Sequence, residues 1–261
     1  MLELSACIEM LFTEKARALP DRIRAAADVG IRVVEFWGRE GRDLTAIARS
    51  LGDSGVSLAA FSSEPGGRLV DPATRERFVT GVRDSCAVAS ALGSPNLIVL
   101  TGDELPEVPR ERQADAVVAA LREAAPIAES AGVTLVLEAL NTRVDHAGYF
   151  LSSTLEALAI VQRVGSPRVR LLYDVYHSVV MDESPEEILP LIAGHIGHVH
   201  VADTPGRHQP GTGVIDWPRF FAALKDVGYK GRVGLEYKPV GETAESLPQI
   251  RSMVYSGPSA V

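Results

Sequence analysis

The chain has 261 residues, of which 46% are hydrophobic and 23% are charged, and this composition excludes collagen-like, low-complexity and disordered proteins. A chain of this length buries roughly three quarters of its unfolded surface on folding, so one large core is expected. The formal net charge of -8 argues against a protein dedicated to nucleic acids or anionic membranes, because such proteins need a basic face.

The first residues and the cysteines indicate a cytoplasmic location. Residues 1–4 contain no basic stretch followed by an apolar run, and no stretch of about 18 uncharged apolar residues occurs that could cross a bilayer. Cys7 and Cys86 are too few for a disulfide framework and fit a reducing compartment. We therefore expect a cytoplasmic protein with no membrane partner.

Short runs rich in β-branched and apolar residues alternate with helical segments along the whole chain. Most of these runs are continuously apolar, which is typical of strands that are covered on both faces of a parallel sheet. The predicted strands are residues 4–7, 31–36, 56–61, 96–101, 133–138, 169–174, 196–201 and 233–236.

Helix start signals occur between the strands. Asp71 precedes a proline, and the segments 153–156 and 184–187 both have the serine and glutamate spacing of a capping box. Eight strand-helix units in about 250 residues match the size of a (β/α)8 barrel. A doubly wound open sheet is the alternative, but no glycine fingerprint follows the first strand. We predict an α/β protein with a single-domain (β/α)8 TIM barrel over residues 1–255, followed by a tail at 256–261.

Polar residues end four consecutive predicted strands. Glu138, Asp174 and Glu236 each close an apolar run, and His200 lies just inside the end of another. A single acidic residue at such a position is often a helix cap or a solvated loop residue. In a barrel, however, the carboxyl ends of the strands meet at one face, where active sites are built. The sequence therefore predicts that these four side chains converge.

Convergence of three carboxylates predicts a metal ion. Carboxylates held close together repel one another unless a cation or a proton lies among them. Three oxygen donors and one imidazole suit Mg2+ or Mn2+, with Co2+ or Zn2+ as alternatives. An acid-rich set also leaves positions open for substrate oxygens, which favours a catalytic site over a structural one.

Further polar residues are candidates for the surroundings of this site. His177 follows Asp174 by three residues and either reaches the site or caps the next segment. His198 shares a strand face with His200, and we favour a supporting or space-filling role over a ligand role. Asn141 lies in the loop after the fifth strand, and Lys238 lies two residues beyond Glu236. Either residue could contact substrate, although solvated positions are common in such loops.

The segment 204–213 is rich in turn-forming residues and follows the seventh strand. It is either a plain connector or a lid that presents Arg207 to an anionic or hydroxylated substrate. Trp37, which follows Glu35 at the end of the second strand, either roofs an apolar part of the pocket or packs under a helix.

Several segments together resemble hydroxypyruvate isomerase and its relatives in the xylose isomerase-like barrel superfamily. The segments are Leu-Tyr-Asp-Val-Tyr-His at 172–177, His-Val-His-Val-Ala-Asp-Thr-Pro-Gly-Arg-His-Gln-Pro-Gly-Thr-Gly at 198–213, Gly-Leu-Glu-Tyr-Lys-Pro at 234–239 and Glu-Ala-Leu-Asn-Thr-Arg at 138–143. The opening residues 5–14 and Val-Glu-Phe at 34–36 fit the same group, so the resemblance spans nearly the whole chain.

The resemblance implies one metal ion held by Glu138, Asp174, His200 and Glu236, with the two glutamates also carrying protons. It implies that the chain is an aldose-ketose type isomerase. Three departures affect the substrate rather than the metal chemistry. His200 stands where these isomerases commonly have glutamine, and Val214 stands where a glutamate often follows the Gly-Thr-Gly turn. Phe-Trp-Gly-Arg at 36–39 differs from the usual aromatic-proline stretch after the second strand.

The predicted reaction interconverts hydroxypyruvate and tartronate semialdehyde through an enediolate, with His177 and Arg207 holding substrate oxygens. A ketose or inosose 3-epimerase that uses the same glutamate pair is the nearest alternative, and a dehydratase of a cyclic hydroxy ketone is a further one. A nuclease specific for abasic sites would need more histidines and a basic groove, and a sugar-binding barrel would not need converging acids. We expect a small-molecule substrate and no nucleic-acid partner. The sequence is compatible with a homo-oligomer.

Overall fold

The computed structural model describes residues 2–255, and within them eight parallel strands form a closed barrel in chain order. The first and last strands pair directly and close the cylinder, with Leu4 opposite Val233. The prediction of a (β/α)8 TIM barrel is confirmed. The strands are β1 (Glu3–Cys7), β2 (Val33–Phe36), β3 (Ser57–Ser62), β4 (Asn96–Val99), β5 (Thr134–Glu138), β6 (Val169–Asp174), β7 (Ile196–Val201) and β8 (Arg232–Leu235).

Helices follow the strands and pack around the barrel. They are α1 (Leu19–Asp28), α2 (Leu44–Ser54), α3 (Arg75–Leu92), α4 (Arg110–Ala131), α5 (Thr154–Val164), α6 (Val175–Val180), α7 (Pro185–Ile192), α8 (Trp217–Asp226) and α9 (Thr243–Tyr255). No helix within residues 2–255 is both long and apolar enough to cross a lipid bilayer. The predicted tail, residues 256–261, lies outside the described residues.

The three predicted helix caps differ in whether the structure confirms them. The Ser153 side chain accepts a hydrogen bond from the backbone N–H of Glu156 and so caps α5. The predicted cap at Ser184 is wrong, because its hydroxyl donates to the carboxylate of Glu186 and leaves the backbone of α7 uncapped. Asp71 accepts from the backbone N–H of Ala73, but it starts a short 3-10 turn that leads into α3.

Strand boundaries differ from the predicted ones where pairing stops. Strand β4 ends at Val99, because the N–H of Thr101 donates to the hydroxyl of Tyr149 at 2.7 Å instead of to a neighbouring strand. Glu236 lies one residue beyond β8, although its N–H still donates to the carbonyl of Val201 at 3.2 Å. Glu236 therefore keeps the direction that the strand gives it.

Two apolar layers hold the barrel. The larger layer fills the space between strands and helices, and a small separate cluster consists of Ala60, Ile98, Val136 and Leu172. Val136 and Leu172 precede Glu138 and Asp174 by two residues, so they share a strand face with them. The small cluster therefore forms an apolar floor beneath the polar strand ends.

Candidate active site

The four predicted strand-end side chains converge at the carboxyl end of the barrel. Glu138, Asp174, His200 and Glu236 are all buried, and one potential ligand atom from each lies within 4.8 Å of all the others. Nδ1 of His200 lies 3.7 Å from a carboxylate oxygen of Glu138 and 3.5 Å from one of Glu236. We call these four residues the carboxylate-histidine cluster.

Strand register and helix capping orient Asp174. It pairs with His200 across β6 and β7, which brings both residues to the same level of the barrel. Its Oδ1 accepts from the backbone N–H groups of Tyr176 at 2.8 Å and His177 at 3.2 Å, and this caps α6. Because Oδ1 is used for capping, Oδ2 is the oxygen that remains for the cluster.

A buried carboxylate on β2 holds the other side of His200. Oε2 of Glu35 lies 2.7 Å from Nε2 of His198 and 3.2 Å from Nε2 of His200, and Oε1 accepts from the hydroxyl of Ser5 at 3.1 Å. Burial opposes ionisation of Glu35, but the two histidines outweigh it and hold its pKa well below the usual range. An ionised carboxylate only accepts, so His200 donates from Nε2 and turns Nδ1 toward the cluster.

Glycine on β8 makes this contact possible. A methyl group at Gly234 would lie 2.1 Å from Oε1 of Glu35 and 2.6 Å from Cδ2 of His200. Any larger residue would therefore push Glu35 and His200 out of place. Sequence reasoning did not give Glu35 a role, although a charged residue inside an apolar strand is a signal that it has a buried partner.

Both oxygens of Glu236 are held by donors. The indole N–H of Trp37 donates to Oε1 at 2.8 Å, and the guanidinium of Arg207 donates to Oε2. Burial opposes ionisation, but His200 and Arg207 outweigh it and hold the Glu236 pKa well below its usual range. The indole of Trp37 thus contacts the cluster directly, which the sequence left open.

Glu138 has the opposite electrostatic environment. Burial raises the pKa of Glu138 to about 7, and the nearby His200 ring offsets only part of that rise. The nearby carboxylates of Glu236 and Asp174 add to it. In the metal-free protein the pKa values of the two glutamates are therefore shifted in opposite directions.

His177 presents a proton donor to the same space, and Asn141 fixes its ring. The backbone N–H of Asn141 donates to Nδ1 of His177 at 3.1 Å, so the proton of a neutral ring lies on Nε2. Burial lowers the pKa of His177 to about 4, which keeps the ring neutral. Nε2 is buried and has no hydrogen-bond partner among the described residues. Asn141 itself contacts His177 and Asp145 rather than the cluster.

The segment after β7 folds inward and places Arg207 over the cluster. Asp203 organises this segment by accepting from the N–H groups of Thr204 and Gly211 and from the indole of Trp217, each within 2.9 Å. Arg207 adopts a left-handed backbone conformation, with φ of 56°.

The second predicted cation is placed differently. Lys238 is exposed, and its N–H donates to the Arg207 carbonyl at 2.7 Å. The structure brings Arg207 to the site but does not bring the Lys238 side chain there.

The donor set of the cluster fits a divalent metal ion. Ligand atoms that all lie within 4.8 Å of one another can share one ion, since ligands on opposite sides of Mg2+ lie about 4.2 Å apart. Nδ1 of His200 is buried and has no hydrogen-bond partner among the described residues, as expected of a nitrogen positioned for a metal. Glu35, His198 and His200 also lie close together, but the 2.7 Å contact there is a hydrogen bond.

Comparisons with known proteins agree with this architecture. A family model described as xylose isomerase-like TIM barrel matches residues 23–253. The chain belongs to this family. Among its relatives, the hydroxypyruvate isomerase of Escherichia coli is 30% identical over 95% of this chain and 97% of its own length. The 2-oxo-tetronate isomerase of Pectobacterium atrosepticum is also 30% identical, over 95% and 96% of the two chains. The chain is an isomerase of the xylose isomerase-like family.

A solved structure shares the fold closely and carries a different name. A Brucella melitensis protein described as an AP endonuclease of family 2 superposes with a TM-score of 0.89 and is 30% identical, covering 95% of this chain and 98% of its own. Proteins similar to this chain therefore have names that refer to reactions on very different substrates.

Proposed function

We propose that this protein is a divalent metal-dependent isomerase that interconverts hydroxypyruvate and tartronate semialdehyde. The observation that carries the proposal is the pair of buried glutamates, Glu138 and Glu236, on either side of Nδ1 of His200 and with pKa values shifted in opposite directions. A proton transfer between adjacent carbons needs one group that removes a proton and one that returns a proton, and two glutamates that face one site supply both.

The carboxylate-histidine cluster would hold the metal, with Mg2+ or Mn2+ favoured by its three oxygen donors and Co2+ or Zn2+ as alternatives. A divalent ion bound there supplies positive charge that stabilises the negative charge developing on the two substrate oxygens. Glu35, through His200, keeps the imidazole nitrogen turned toward the ion.

The chain's own groups then account for the proton movements. Glu236 removes a proton from the hydroxyl-bearing carbon and generates the enediolate, and Glu138 delivers a proton to the neighbouring carbon. Exchange with water then removes the proton from Glu236 and returns one to Glu138. Nε2 of His177 and the guanidinium of Arg207 hold the substrate oxygens, and Asn141 keeps the His177 ring in position. The hydroxyl proton on one substrate oxygen moves to the oxygen of the adjacent carbon. One carbon is oxidised as the other is reduced, so the reaction needs no external oxidant or reductant.

Proton exchange in deuterated water tests this proposal. Hydroxypyruvate incubated with the Mn2+-loaded enzyme should exchange one of its two C3 protons for deuterium in the NMR spectrum while tartronate semialdehyde accumulates. If C3 stays protonated and no product forms, hydroxypyruvate is not the substrate. The 3-epimerase alternative would be supported if hydroxypyruvate exchanged a C3 proton without isomerising and if a ketose were inverted at C3. That reaction would use the same two glutamates.

The name of the Brucella protein makes cleavage of abasic-site DNA the alternative from another reaction class. The net charge of -8 and the buried carboxylates of the cluster oppose the approach of a phosphate backbone. We therefore propose that the protein has a small-molecule substrate and no nucleic-acid partner. A duplex containing one abasic site should remain intact with the Mn2+-loaded enzyme, and strand cleavage that Glu236→Gln abolishes would contradict this.

A further inference from the structure

An indole hydrogen bond crosses from the second strand to the glutamate that follows the eighth. Trp37 directly follows β2 and Glu236 directly follows β8, and β1 lies between these two strands. The indole N–H of Trp37 donates to Oε1 of Glu236 at 2.8 Å. The other donor to Oε1 among residues 2–255 is the thiol of Cys7 at 3.7 Å, and thiols are weak donors. Trp37 is therefore the main partner of Oε1.

The two oxygens of Glu236 face different groups. Oε2 lies 3.5 Å from Nδ1 of His200 and accepts a hydrogen bond from Arg207. Because Trp37 holds Oε1, the carboxylate cannot turn about its terminal bond without losing a hydrogen bond. A group that removes a proton from a bound carbon works only in a narrow range of orientations. The Trp37 contact therefore restricts Glu236 to one orientation.

Burial of the ring does not explain the position of Trp37. The side chain is 46% exposed, whereas tryptophan is highly buried on average. The exposed part lines the cavity of about 310 Å³ that also contains Glu138 and Glu236. A substitution that removes the indole should therefore cost little stability and act mainly at the site.

Glu64 fixes the turn that carries the indole. Its Oε2 accepts from the backbone N–H groups of residues 39–40, each at 2.7 Å. Gly38 leaves room for this carboxylate, since a methyl group there would lie 1.9 Å from Oε1 of Glu64. The carbonyl of Trp37 accepts from the N–H of Ser62 on β3 at 2.7 Å. The backbone is thus held on both sides of the point where the indole leaves it.

We propose that Trp37 is a positioning residue for proton removal by Glu236, and that Glu64 places Trp37 through the turn at 38–40. The inference rests on the proposed function, in which Glu236 removes the proton from the hydroxyl-bearing carbon. Trp37 and Glu64 exchange no proton with the substrate. Their effect is to keep the carboxylate of Glu236 in the orientation that the reaction needs.

Trp37→Phe tests the donor, because it keeps an aromatic ring and removes the N–H. With the Mn2+-loaded enzyme and hydroxypyruvate in deuterated water, kcat and the rate of C3 proton exchange should fall together by about tenfold. A hydrogen bond to a charged group contributes on that order. KM and the Kd for Mn2+ should stay within about threefold, since the carboxylate-histidine cluster is intact. A merely structural role would instead weaken Mn2+ binding and lower Tm along with the rate.

NMR observes the hydrogen bond without turnover. The chain has two tryptophans, so the 1H-15N spectrum of the metal-free protein should contain two indole N–H peaks, and Trp37→Phe identifies the peak of Trp37. That peak should move upfield in Glu236→Gln, because an amide oxygen accepts a weaker hydrogen bond than a carboxylate does. The peak of Trp217 should not move, because its indole donates to Asp203.

A double-mutant cycle tests whether Glu64 acts through Trp37. Glu64→Ala alone should lower kcat about threefold to tenfold, and it should add less than twofold in the Trp37→Phe background, where the indole donor is already missing. Tyr255→Leu is the control variant, because it removes an aromatic side chain of matching exposure, 47%, from α9. It should leave kcat and proton exchange within about twofold of the wild type.

The outcomes separate this inference from the proposed function. An unchanged kcat in Trp37→Phe overturns the inference and leaves the isomerase proposal standing, and so does a loss of rate that only follows a loss of Mn2+ binding. Additive losses in the double variant overturn the role of Glu64. Absence of proton exchange in the wild type overturns the proposed function itself. If Trp37→Phe fails to fold, the spectrum of Glu236→Gln still decides, because two unmoved indole peaks overturn the inference.

Discussion

Replacing Glu35 by glutamine should weaken metal binding without removing any residue of the carboxylate-histidine cluster. The carboxylate accepts hydrogen bonds from both His198 and His200 through one oxygen. A glutamine whose amide oxygen takes the place of Oε2 can still accept from both histidines, with its NH2 group toward Ser5, but it has no negative charge to hold the two Nε2 protons. His200 is then held less firmly with its Nδ1 toward the ion.

The expected loss is about tenfold to 100-fold in affinity, which corresponds to about 1.4–2.8 kcal/mol, as for other partners that orient a ligating histidine. The assay is titration of the metal-free protein with Mn2+, with the free ion followed by its EPR signal. Glu14→Gln is a matched control, because Glu14 accepts from Thr243 outside the cluster. Its Kd for Mn2+ should stay within about twofold of the wild type.

Glu35→Gln that remains folded and binds Mn2+ with wild-type affinity would refute this reasoning. Circular dichroism and Tm establish that the variant is folded. A variant that loses affinity only in proportion to a general loss of fold would also contradict a positioning role, and comparison of Kd with the folded fraction separates the two cases.

Other expected outcomes concern the proton carriers, the metal and pH. Glu138→Gln and Glu236→Gln should each lower kcat by at least about 10³-fold while Tm changes little. Only Glu236→Gln should also abolish loss of the C3 proton from hydroxypyruvate. Full exchange of that proton in Glu236→Gln would mean that the two glutamates have the opposite roles. Chelation should abolish activity and Mn2+ should restore it, whereas an undiminished rate after exhaustive chelation would remove the metal from the mechanism. Burial lowers the folded-state pKa of His177 to about 4, so the unfolded chain binds more protons between that pH and about 6.5, and stability falls as pH drops through this window. Urea unfolding of the metal-free protein should show that this fall is smaller in His177→Gln by roughly 3 kcal/mol, and parallel curves for the two proteins would contradict a neutral buried His177.

The barrel and its convergent side chains could be predicted because both follow from local pattern. Continuous apolar runs indicate parallel strands, and parallel strands in a barrel bring their carboxyl ends to one face. Glu138, Asp174 and His200 could therefore be grouped from their positions in the chain alone. The Ser153 cap was readable for the same reason, since it depends on neighbours three residues apart.

The contacts that cross the barrel could not be predicted in this way. Glu35 on β2 reaches His198 and His200 on β7, and Trp37 reaches Glu236 beyond β8. Such pairs depend on the closure of the cylinder and on the space left by Gly234, neither of which appears as a spacing in the sequence.

The sequence also does not predict which way a side chain in the loop after a strand points. Lys238 and Arg207 are both cations in loops near Glu236, yet only the Arg207 side chain turns into the site. The hydrogen bonds of Asp203 decide that difference by folding the segment after β7 inward.

The central claim is that Glu138, Asp174, His200 and Glu236 jointly hold one divalent ion. Crystals grown with Mn2+ and measured at the manganese absorption edge test it most directly. We predict one strong anomalous peak within about 2.0–2.6 Å of a carboxylate oxygen of each acid and of Nδ1 of His200. A map with no peak among these atoms, or with the peak bound through other residues, would contradict the claim.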